Sequence, residues 1–152
     1  MNVFSPGDEK RLLELIGQRL ELVKEILQLT EKQTDILASD DMEAFGQSLD
    51  RRQELIEKID GLHQETNILM QSYLSMIDAA GGRAISAIDE ASGRFKDILE
   101  QCVRINDKNT AAAEAKADDY LKQAGKLNQG RKGLSAYIQD VPNEPEHFDK
   151  KT

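Results

Sequence analysis

Tryptophan is absent from this 152-residue chain, cysteine occurs once and aromatic residues make up only 5%. A lone thiol, Cys102, excludes an internal disulfide and any zinc site built on several cysteines, and it suits a reducing compartment. Nowhere do about 18 apolar residues run together, so no membrane-spanning helix is expected. The opening MNVFSPGDEK lacks the charged and apolar regions of a signal peptide, which predicts a soluble, cytoplasmic protein. Basic residues are in deficit: 20 Lys and Arg against 28 Asp and Glu leave a net charge of −8, a poor basis for binding nucleic acid by neutralising phosphates.

Groups for chemistry are equally sparse. Of two histidines, His63 stands in the apolar register of a helix with Asp60 three residues before it, and one such pair does not make a metal site. Glu144 and His147 are separated by Pro145. Cys102 shares a stripe with Phe95 and Leu99 and reads as a small core residue, with no histidine near in sequence to activate it. Asp40-Asp41 and Asp118-Asp119 read as helix-start and surface charge. Neither GxxxxGK[ST] nor GxGxxG occurs. No enzyme activity, metal or cofactor is expected.

Helical periodicity is what the chain does have. From Asp40 to Asp78 there is no proline, and Met42, Phe45, Leu49, Ile56, Ile59, Met70, Tyr73 and Ile77 recur at three-four spacing. Arg52, His63 and Thr66 fill the missing beats. Leu55, Leu62, Leu69 and Met76 add a second stripe, giving a face wide enough for two neighbours. Asp40 with Glu43 resembles a capping box, Gly81-Gly82 supplies a stop, and the rod would span about 55–60 Å at 1.5 Å per residue. The polar run 50–54 reads as a solvated face with a Glu54–Lys58 pair.

The preceding helix, capped by Ser5 or Asp8 and running to about Ala38, carries two stripes led by Leu12, Leu15, Ile26 and by Ile16, Leu20, Val23. The short SDD link predicts an antiparallel hairpin. A third helix starts near Ala84 and carries Ile88, Phe95, Leu99 and Cys102. Asn106 and Asn109 then occupy seam positions, where polar residues set alignment at a cost in stability. The Ala-rich segment that follows is expected to be looser. Near the end Leu134, Tyr137 and Ile138 cluster at helical spacing behind the basic residues Lys126, Arg131 and Lys132.

The fold expected is all-α, an elongated antiparallel bundle of three long helices with a short C-terminal amphipathic segment. Residues 1–138 form one domain and 139–152 a flexible acidic tail, with no internal repeat. With apolar residues at only 39%, the core is thin.

Three pieces in order, EKQTDILASDDMEAFGQSLDRRQELIEKIDGL, the Ile105-Asn106-Asp107-Lys108-Asn109-Thr110 segment and KLNQGRKGLSAY, resemble the FlgN/FliT group of flagellar type III export chaperones over roughly residues 9–138. The resemblance implies a cytoplasmic chaperone that binds the helical termini of hook-associated proteins, prevents premature assembly and delivers them to the export apparatus. It implies a partner-binding region at Asn106 and Asn109, and at Leu127, Arg131, Leu134, Tyr137 and Ile138. There the apolar trio either anchors a client helix or folds back on the bundle, or covers a groove until a client displaces it. The alternative is a coiled-coil scaffold without client. Stripes this wide also permit a homodimer.

Overall fold

The computed structural model describes residues 4–79, 84–116 and 121–141, all in helices or their connections. Four helices follow one another: α1 Pro6–Ser39, α2 Met42–Ala79, α3 Ser86–Glu114 and α4 Leu121–Asp140. α1 packs against α2 and α3, and α4 packs against α3 and, over a smaller area, α2. Round the bundle the order is therefore α1, α2, α4, α3, with α4 diagonal to α1.

Local chemistry sets the boundaries. Ser5 and Asp8 close a full capping box at the start of α1, with Pro6 in the first turn where its missing N–H costs nothing. At the hairpin the roles divide between neighbours. Asp40 takes a left-handed conformation (φ 59°) and closes α1, while the Asp41 carboxylate accepts from Ala44 N–H at the start of α2. The capping box expected from Asp40 and Glu43 is thus replaced by an Asp41 cap, because Asp40 is consumed by the reversal. α3 starts at Ser86 without a cap from its own N-cap side chain, Ile85. Tyr73 Oη accepts the Ile85 N–H at 2.7 Å and donates to Asp89 at 3.0 Å, so a residue of α2 does the capping. The Gly81-Gly82 stop lies outside the described residues, as do Ala117 in the Ala-rich segment and the tail from residue 142.

Buried side chains form three clusters along the bundle. Phe4, Leu12, Ile16, Met70, Tyr73, Ile77 and Ile88 fill the end where α1 begins. Val23, Ile26, Leu55, Ile59, Phe95, Leu99, Cys102, Leu134 and Tyr137 belong to the middle. Leu37, Phe45, Leu49, Ala113 and Leu127 close the hairpin end. The stripes predicted on α1, α2 and α3 are the faces that meet. Ala113 is fully buried there, so the start of the Ala-rich segment is packed.

Candidate functional site

α4 is the amphipathic segment, here a helix of 20 residues. Glycine normally weakens a helix interior by about 1 kcal/mol, and α4 contains Gly125, Gly130 and Gly133, so its stability must come from docking. Leu127 and Leu134 are fully buried and Tyr137 nearly so, with Ile138 packed at the edge of the central cluster. The apolar trio thus has an internal partner: it folds back on the bundle.

Beneath α4 runs a polar seam. Arg52, in the first third of α2, is 1% exposed. Its Nη1 donates to Asn106 Oδ1 at 2.6 Å and to Gln33 Oε1 at 3.4 Å. Asn106 Nδ2 in turn donates to the Leu127 carbonyl of α4 at 3.1 Å. One helical turn on, Asn109 Nδ2 donates to the Thr30 carbonyl at 3.0 Å and its Oδ1 accepts from Thr34 Oγ1 at 2.7 Å. Asn106 therefore fixes α4 against α3, and Asn109 fixes α3 against α1. Both asparagines set alignment, as their seam positions suggested.

No carboxylate among the described residues lies within ion-pair distance of Arg52. Burial pushes its guanidinium pKa down to about 10. Burial likewise pushes the Cys102 thiol up to about 12. Gly130 of α4 lies on the guanidinium so closely that a Cβ there would stand 2.5 Å from Nη2. Outside the seam, Arg131 pairs with Asp107 at 2.6 Å and Lys126 with Asp50 at 3.7 Å, both solvent-washed clips from α4 to its neighbours.

Sequence reasoning set Arg52 on a beat of the apolar stripe without giving it a role, and missed Gln33 and Gly130. The 50–54 run is solvated at Asp50, Arg51, Gln53 and Glu54, with Glu54 pairing to Arg51 in place of Lys58, but not at Arg52. The signal was available, since Arg52 falls on the apolar beat between Leu49 and Ile56. His63 is half-buried, its ring 6.1 Å from that of Tyr137. Nearby the Arg19 guanidinium lies over Phe95, 4.4 Å from the ring centre. Among the described residues no cluster of three His, Cys, Asp or Glu is placed to hold a metal, and no helix is long and apolar enough to cross a membrane.

These features define an all-α bundle whose most developed internal site is a polar seam under its last helix. The family model described as FlgN protein matches residues 1–140, and the chain belongs to the FlgN family. It is thereby a flagellar export chaperone, on the FlgN side of the resemblance drawn from sequence. Neither the curated proteins nor the solved structures yield a match.

Proposed function

We propose that the chain receives an amphipathic terminal helix of a hook-associated protein in the seat that α4 fills, keeps it from assembling early and hands it to the export apparatus in the cytoplasm. The observation that supports this most is how α4 is held. Leu127, Leu134 and Tyr137 are core residues, yet α4 leans mainly on α3, and its ion pairs are exposed ones of the kind that add little. A foreign helix with the same apolar spacing offers the groove the same burial, roughly 1.5–3 kcal/mol per large side chain before association costs. α4 and client are alternatives for one surface, and the client shifts an existing equilibrium.

In the client-bound form Asn106 lines the groove floor and Asn109 holds α3 in register beneath it. Leu127, Leu134, Tyr137 and Ile138 vacate the places that the client's apolar residues take, while Arg131 with Lys126 and Lys132 on the released α4 steers acidic segments of client or export machinery. Locking α4 shut tests the exchange. The Asp107→Cys/Arg131→Cys chain, bridged by a short bis-maleimide, is expected to lose a hook-associated protein that the unbridged chain retains. Undiminished binding by the bridged chain contradicts the proposal.

One feature favours a second reading, a scaffold that self-associates. Leu22 and Leu62 flank an open groove on the outer side of α1 and α2, and Ile68 on α2 is 57% exposed. Sedimentation equilibrium decides it, since a monomeric mass at high concentration removes that reading.

A further inference from the structure

Arg52 is a buried cation that the free protein leaves half-served. Among the described residues only Nη1 has acceptors, the neutral side-chain oxygens of Asn106 and Gln33. Nε and Nη2 donate to no acceptor among the described residues, and both face Gly130. That edge of a guanidinium is the one that grips a carboxylate through two parallel hydrogen bonds. α4 meets it with the one residue type that has no side chain at all. With no carboxylate among the described residues in reach, the seat carries an unmatched positive charge under whatever helix occupies it.

We propose that Arg52 sets the client preference of the seat, favouring a helix with Asp or Glu where α4 has Gly130. This rests on the exchange of α4 for client described above. The expected recognition pattern is an apolar residue three before the carboxylate, at the place of Leu127. Further apolar residues stand four and seven after it, at the places of Leu134 and Tyr137. The three atoms nearest a Cβ at that position all belong to the Arg52 guanidinium, which has to shift to receive it; a carboxylate offsets that shift by pairing with the cation and a bare methyl does not. Excluding water from the pair strengthens it, and a helix with a neutral residue there leaves the charge unmet. Gly130 makes α4 a weak competitor by the same logic. It fits the seat without neutralising it, so an acidic client gains an ion pair that α4 cannot offer.

Two comparisons test this. In the full-length chain, Gly130→Asp and Gly130→Asn differ only in charge at the seat. The Asp variant is expected to unfold at higher urea than the Asn variant, and the difference to vanish when Arg52→Gln is added. Equal midpoints with Arg52 present overturn the proposal. In the second comparison the Tyr137→Asp chain, with α4 loosened, is titrated with labelled 20-residue peptides copying residues 121–140 but carrying Glu or Gln at the place of Gly130. The Glu peptide is expected to bind about tenfold or more tighter, and Arg52→Gln to close the gap. Equal binding of the two peptides overturns the preference. Binding of neither peptide counts against the exchange of helices, and the urea comparison then decides the role of Arg52 by itself.

Discussion

Arg52 and Asn106 meet at 2.6 Å in the interior of the bundle, a cation on α2 against a neutral amide on α3, with the backbone of α4 hung from the other end of the same amide. Breaking one side of such an arrangement costs more than replacing both sides with apolar groups. Asn106→Leu strands a buried charge and is expected to cost about 3–5 kcal/mol in urea unfolding. Arg52→Met/Asn106→Leu removes charge and amide together and is expected to return to within about 1 kcal/mol of the natural chain. Additive losses in the double variant would show that the two residues do not act as a unit.

Gly130 and Gly17 predict opposite responses to the same substitution. Nothing stands within 4 Å of a Cβ at Gly17, so Gly17→Ala is expected to stabilise by up to about 1 kcal/mol. Gly130→Ala drives a methyl into Arg52 and is expected to lower stability, through loss of α4 docking. Thermal unfolding of the two variants gives the signs.

Cys102 reports on the central core. Its thiol is buried with a pKa pushed up to about 12, so alkylation near pH 8 is expected to be very slow in the native chain and fast once unfolded. The folded state favours the neutral thiol. Its contribution is therefore complete below the ordinary cysteine pKa and declines as pH rises from there toward the folded value. Relative to Cys102→Ala, stability is expected to fall by at most about 1.4 kcal/mol per pH unit above pH 9. Prompt alkylation of the native protein would place the thiol outside the core.

Tyr73 supplies a control far from the seat. Tyr73→Phe removes the acceptor of the Ile85 N–H and the donor to Asp89, and is expected to cost about 1–3 kcal/mol and fray the start of α3. Client binding, measured where the variant is folded, is expected to be unchanged. A loss of binding equal to that from locking α4 would move the site toward that end of the bundle.

Much of the fold was legible because three-four spacing survives tertiary context. Leu12, Ile26, Ile59, Phe95 and Leu99 lie on predicted stripes and all are buried. The asparagines were legible as seam residues for the same reason. Arg52 was less so, since four charged or polar neighbours in sequence share its composition and only the angle round the helix separates them. The docking of α4 was one of the alternatives that residues 121–140 left open, and those residues could not decide it. Three glycines lower its intrinsic helicity, and whether Leu134 and Tyr137 turn inward depends on a groove assembled by residues some eighty positions away, such as Ile56, whose carbonyl lies 3.5 Å from Tyr137 Oη. Gly130 matters for its absent side chain, which acquires meaning only opposite Arg52.

Hydrogen exchange of the full-length chain with and without a hook-associated protein measures the exchange of helices itself. Client binding is expected to expose the α4 amides of Leu127 to Tyr137 to faster exchange while α2 around Arg52 and α3 around Asn106 stay protected. Retained protection in α4, with new protection appearing on the outer side of α1 and α2, would contradict a shared seat.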